Sequence, residues 1–294
     1  MQVAILYATV VLIWGSTWLA ITYQIGVVAE EVSVAYRFAL GSVSLFIYAL
    51  LSRRKVHIPW NSYGYVVLMG VLMFSISYLF VYHGAAYIPS GLVAVIFSLI
   101  VVTNALFERV FFKTLFEGRL LFASLLGVIG VVLIFWPEIS KFSLQDQAMM
   151  GVLLVTMSVL VASLGNMTAI INTNRGLPVV AVNAHAMAWG ALFSAAVAIL
   201  FGRPFNFLFE FEYIASLAYL SVFGSAIAFG CYLALLRTIG STRASYSSVL
   251  FPIVALLIST FVEDYQWSTM AVAGIIFIIA GNWLALTKRK GSRK

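Results

Sequence analysis

Apolar residues in this chain do not alternate with polar ones; they run on for about twenty positions and stop at short polar or proline-bearing breaks. Runs of that length suit an α-helix crossing the roughly 30 Å hydrocarbon layer of a bilayer at about 1.5 Å per residue. Ten are predicted, at 3–25, 32–51, 62–86, 89–108, 118–136, 150–171, 178–201, 212–236, 240–262 and 268–286. The breaks carry turn signals: Arg53-Arg54-Lys55 with Pro59, then Pro89, the charged stretch from Glu108 to Arg119, Pro137, Pro178, Pro204, Gly240 and Glu263-Asp264. A membrane barrel would show alternating segments of about ten residues instead. The expected fold is therefore all-α and integral to a membrane, with ten transmembrane helices and both termini on one side.

The distribution of charge tests that count, because cytoplasmic loops collect Lys and Arg. With the N-terminus in the cytoplasm, the basic residues there are Arg53, Arg54, Lys55, Arg109, Lys113, Arg119, Arg175, Arg237, Arg243, Lys288, Arg289, Lys290, Arg293 and Lys294. Only Lys141 and Arg203 fall outside, whereas eight of the ten acids do. Moving any one hairpin would scramble this pattern. The expected location is the inner (cytoplasmic) membrane, multi-pass.

Composition narrows the function. The chain is 63% hydrophobic and 9% charged, with a mean hydropathy of +1.05, which excludes a soluble globular domain. A net charge of +7 would suit nucleic acid, but the basic residues sit in short loops and a tail, so no nucleic-acid partner is expected. One Cys and no cluster of His with Cys or carboxylates argue against a metal or other cofactor. An intramembrane enzyme would need a nucleophile with its base, and no such pair is seen; the chain is expected to be no enzyme. The first helix lacks preceding basic residues and a small-residue cleavage site, so it reads as retained.

The longest non-apolar connection, from Pro137 to Met149, divides the chain into residues 1–137 and 138–294, five helices each, the second with a basic cytoplasmic tail. An odd number of crossings makes the halves inverted. They also match weakly: Phe97 to Glu108 and Pro252 to Glu263 each end a helix with an acid, and Ala123 to Gly130 has the spacing of Gly274 to Gly281. Inverted repeats are a hallmark of transporters.

Several segments then carry a resemblance over nearly the full length. They are Trp14-Gly15-Ser16-Thr17-Trp18, Tyr36-Arg37-Phe38, and Ala86-Tyr87-Ile88-Pro89-Ser90-Gly91 in the first half. In the second they are Ala234-Leu235-Leu236-Arg237, Ser241-Thr242-Arg243-Ala244-Ser245, Pro252, Glu263 and a glycine-bearing final helix. The chain resembles the EamA-like, two-domain members of the drug/metabolite transporter superfamily. That resemblance implies ten helices, a substrate cavity between the halves and alternating access, with export the usual direction in bacterial members. Phe97 stands where the second half has Pro252, which places the helix bend in the second half alone.

Candidate substrate-binding residues follow from polar groups at membrane depth. Arg37 could hold a carboxylate in its planar fork, or reach the outer headgroups or Glu30 and Glu31. His185, on the equivalent helix of the second half, could titrate or contact substrate, or be satisfied by a backbone carbonyl. Trp14 and Trp18, with Ser16 and Thr17 between them, lie too deep for interfacial anchoring; they line a cavity or fill a helix contact. Tyr78, Tyr82 and Tyr232 each need a hydroxyl partner, although Tyr82 and Tyr232, nearer helix ends, fit an interfacial aromatic belt better; Asn166 is interhelical glue or a substrate contact. Gly15 and Pro252 are candidate gating positions, Pro252 because it leaves the Ser248 carbonyl without its amide partner.

By these spans all ten acids lie in loops or at helix ends, which disfavours a carboxylate proton relay. The expected activity is secondary transport of a small metabolite, export of amino acids or related compounds foremost. Facilitation or import of a nucleotide- or sugar-like solute and a non-transport assembly role are the alternatives. Partners are the small-molecule substrate, the bilayer and protons as candidate coupling ion, for a monomer or weak dimer.

Overall fold

The computed structural model describes residues 2–26, 28–88, 90–114, 118–136, 140, 146–262 and 267–287. Pro89, Pro137, Lys141, Glu263, Asp264 and the basic residues beyond 287 lie outside them, as does the side chain of Trp18. Among the described residues the regular elements are all helices: α1 (Gln2–Thr22), α2 (Glu30–Leu51), α3 (Trp60–Ala85), α4 (Ser90–Ser98 followed by Ile100–Phe112), α5 (Gly118–Ile134), α6 (Asp146–Asn174), α7 (Val179–Leu200), α8 (Phe211–Ile239), α9 (Ser241–Ser245, Tyr246–Leu250 and Phe251–Val262) and α10 (Thr269–Leu286). An apolar run in hydrocarbon must satisfy its backbone internally, which is why these sequences become helices. Pro59 and Pro178 stand immediately before α3 and α7, where a missing amide costs nothing.

Among the described residues eight helices are long and apolar enough to cross a membrane, fewer than the ten comparable spans expected; α5 and α10 are shorter apolar helices. With 17 residues, α5 is about 25 Å long, a little less than the hydrocarbon layer. These two pack against each other through glycines. A Cβ on Gly130 would lie 2.6 Å from the Gly274 carbonyl oxygen, and one on Gly274 would lie 2.5 Å from that of Gly130. Lipid tails give helices no hydrophobic reason to associate, so such close backbone approach is what holds them.

Gly281 meets Ala123 and Gly127, so α5 and α10 run antiparallel. The second helices of the two halves do the same: Val32 of α2 clusters with Ala198 of α7, and Gly41 packs near Met187. The remaining packing has the same exchange symmetry, with α1 on α8 and α9 mirrored by α6 on α3 and α4. Two five-helix repeats thus interlock around an axis through the α2/α7 and α5/α10 pairs.

Three local features differ from the sequence expectation. First, the fourth helix of both halves is interrupted, not the second alone. The α4 helix breaks at Leu99, whose N–H turns back to Ile96, and α9 contains a 3-10 stretch over Tyr246–Leu250. Second, the Ser248 carbonyl is not left free by Pro252, because the N–H of Phe251 donates to it. Third, α3 and α8 each contain a π-helical stretch, Leu72–Ile76 and Leu220–Ile227, at equivalent places in the repeats. A π turn inserts a residue and re-aims those beyond it. Between α8 and α9 there is no loop, only Gly240 at φ 85°, a conformation residues with a Cβ rarely adopt.

Candidate functional site

A cavity of about 90 Å³ lies between the repeats, lined from α1, α2, α3 and α4 on one side and α6, α8 and α9 on the other. That is room for a few waters, below the roughly 300 Å³ of an ordinary ligand pocket.

Among the described residues its one ionic group is Arg37, 1% exposed. Ser33, Arg37 and Gly41 share a face of α2 at spacing four, and Gly41 lets α8 come close enough for contact with Ser221 and Ser225. The Arg37 Nε donates to the Ser225 hydroxyl at 3.1 Å, and Nη1 to the Tyr82 hydroxyl at 3.3 Å. Ser225 lies in the π stretch and turns its own hydroxyl to the Leu220 carbonyl, five residues back. The guanidinium sits 4.7 Å from the Tyr78 ring centre and 5.4 Å from that of Phe38. Such ring contacts are worth about 0.5–2 kcal/mol each, less than the several kcal/mol a buried charge costs in a membrane. Among the described residues no carboxylate pairs with Arg37; Glu31 instead pairs with Arg203 and lies within hydrogen-bonding distance of His83.

The wall beside Arg37 is aromatic. Trp14 donates its indole N–H to the Gly224 carbonyl at 2.9 Å, and its ring meets Phe229, Tyr232 and Phe251 at 4.7, 5.2 and 5.7 Å. At the other end, Asn166 donates to Asn104 at 3.2 Å, while its buried Oδ1 has no hydrogen-bond partner. Tyr232 also lines that end.

Six sequence candidates therefore meet at the cavity: Trp14, Thr17, Arg37, Tyr78, Asn166 and Tyr232. The Thr17 hydroxyl is spent on its own helix, donating to Trp14 at 2.8 Å. Tyr82 is fully buried behind Arg37, not in the wall. The Ser16 hydroxyl lies 2.6 Å from that of Tyr219, away from the cavity lining. His185 is placed elsewhere: α7 contributes nothing to the lining, Nε2 lies 3.0 Å from the Val56 carbonyl, and Nδ1 is 3.3 Å from the Tyr63 hydroxyl. Since a carbonyl only accepts, Nε2 carries the proton and the ring pins the chain entering α3. Gly15 packs against α9, where a Cβ would lie 2.5 Å from that of Val254; Pro252 is buried next to the lining residue Phe251. Ser77 and the α9 serines Ser245, Ser247 and Ser248, which also line the cavity, were not among the substrate-binding candidates read from the sequence. The Ser-Tyr-Ser-Ser run before Pro252 was the available signal.

Comparison with known proteins settles the lineage. The EamA-like transporter family profile matches residues 1–136 and again 149–287. The chain belongs to the EamA-like transporter family. Among its relatives, protein PagO of Salmonella typhimurium is 24% identical over 98% of this chain and 94% of its own length. Uncharacterized transporters of Archaeoglobus fulgidus and Bacillus subtilis (YoaV) are each 22% identical, covering 97% and 96% of this chain and 99% and 97% of their own. A solved crystal structure shares the fold with a TM-score of 0.80 at 18% identity, over 97% of this chain and 96% of that one. The protein is a multi-pass membrane transporter of the EamA-like family, built from two repeats.

Proposed function

We propose that this transporter carries small carboxylate-bearing metabolites, amino acids foremost, out across the cytoplasmic membrane by alternating access. The observation that supports this reading is Arg37, a buried cation facing the cavity with no carboxylate beside it among the described residues. A substrate carboxylate would complete its planar fork, the aromatic wall around Trp14 would hold an apolar body, and the free acceptor of Asn166 would take a donor such as an ammonium. A nucleotide-linked solute would call for several cations; Arg37 is the one Lys or Arg in the lining.

In this reading all ten helices cross the membrane, with both termini in the cytoplasm as the basic residues direct. The interrupted helices α4 and α9 flex around the cavity, and Gly15 and Pro252 lie where α1 and α9 slide past each other. No carboxylate lines the cavity among the described residues, so coupling runs through the substrate's own proton or transport is facilitative. The test is counterflow of tritiated amino acids in liposomes holding purified protein. Saturable exchange of one class, lost in Arg37→Ala and not rescued by Arg37→Lys, is the expected result. Exchange equal to that of empty liposomes, for protein shown to be folded, would sink the proposal.

A further inference from the structure

At the face where α2 begins and α3 ends, Glu31 is only 4% exposed although it sits in the first turn of its helix. His83 of α3 places Nε2 3.1 Å from its Oε1, and Arg203, from the segment joining α7 to α8, places Nε 3.6 Å from its Oε2. The positive end of α2 adds to their attraction. Glu30 also stands at this corner, a ligand atom of its carboxylate within 4.8 Å of those of Glu31 and His83.

The α7–α8 segment is fastened a second time. Tyr36 donates its hydroxyl to the Asn206 carbonyl at 3.2 Å, and its ring packs against Phe205 and Phe207. On the same face, Gln24 after α1 donates to the Tyr213 carbonyl at 3.0 Å and to the Ser216 hydroxyl at 2.6 Å. Each of these contacts joins the first repeat to the second.

This corner is also wired to the cavity. Tyr36 directly precedes Arg37, and His83 directly follows Tyr82, the residue that accepts from Arg37. The helices α2 and α3 are thus linked twice, by Glu31 with His83 and by Arg37 with Tyr82, and a shift at one link strains the other. A divalent cation is an alternative occupant, since ligand atoms of Glu30, Glu31 and His83 lie within 4.8 Å of one another. It would face the Arg203 guanidinium and the positive helix end, so the charges argue for an ionic tie instead.

We propose that Glu31, His83 and Arg203, with the segment 202–210, form a latch that closes the outer mouth of the cavity and is released and remade in each transport cycle. It rests on the alternating-access reading above. At the opposite face Thr242 of α9 donates to Glu108 of α4 at 2.9 Å, a tie between the same two repeats.

The test uses a single-cysteine protein, Cys231→Ala with Thr17→Cys, in sealed liposomes of known orientation. A membrane-impermeant methanethiosulfonate reagent is added from the outside, and modification at position 17 is followed by mass spectrometry. In Arg203→Ala, which removes a half-exposed side chain, and in Glu31→Gln, labelling rises about tenfold or more as the open population grows. Arg175→Ala, at the other face, leaves it unchanged. Unaltered labelling in both latch variants, with melting temperatures equal to the parent, overturns the latch. This readout needs no substrate: labelling that follows the latch, when the unsubstituted protein exchanges no tritiated amino acid, sustains the latch and overturns the amino-acid reading instead.

Discussion

The second helix of each repeat carries one ionisable group in its interior, and the two have opposite fates. Arg37 on α2 turns toward the cavity and is met by hydroxyls and aromatic faces that leave its charge unanswered. His185 on α7 turns away, and both of its ring nitrogens have protein partners. The repeats supply matched scaffolds, down to a π stretch in each third helix, yet those stretches are put to different uses. In α8, Ser225 positions the guanidinium; in α3, Ser75 meets Ser194 of α7 at 2.6 Å and simply joins two helices. Symmetry governs the frame, and asymmetry governs the chemistry.

Substitutions at the two groups give the sharpest way to break that contrast. Arg37→Ala should lower exchange by about tenfold to a hundredfold, the worth of a charged hydrogen-bonding pair with substrate. Its melting temperature in detergent should hold or rise, since no buried carboxylate loses a partner. A large loss of stability with exchange intact would make Arg37 a packing residue. Next in size is a change to the symmetric frame: Gly130→Leu forces a side chain into the Gly274 carbonyl and should cost about 1–3 kcal/mol or more of stability, read as a lowered melting temperature. Asn166→Leu should weaken substrate affinity several-fold, about 1 kcal/mol, with little change in the maximal rate. The smallest effect on transport belongs to His185→Phe, which should leave exchange within about twofold while losing about 1 kcal/mol of stability. Abolished exchange in that variant would erase the distinction between the two helices.

Much of this frame was legible in the chain. Apolar runs located the helices, and Arg37, Trp14 and Asn166 stood out as polar or aromatic groups at membrane depth, each with a packing or anchoring role as the alternative; that Tyr232 joins them was not legible, because its place nearer a helix end favoured an interfacial position. The burial of Glu31 was not legible, because it depends on Arg203 arriving from a distant segment. Nor were the π stretches: Leu72–Ile76 and Leu220–Ile227 contain no residue type that demands an extra turn, and the choice is made by packing. The break at Leu99 was hidden as well, since leucine is a good helix former and nothing in its identity marks an interruption. Proline pointed correctly to an irregular α9, but its absence from α4 was misleading.

The crossing of α5 and α10 bears on how the two repeats can change over time. A duplicated unit is ordinarily free to drift, with a larger residue on one copy accommodated by a smaller one on the other. At Gly130 and Gly274 that route is closed, because each already faces the other's backbone oxygen and neither can shrink further. No substitution at one site has a compensating partner at the other, so both positions of this crossing are held to glycine.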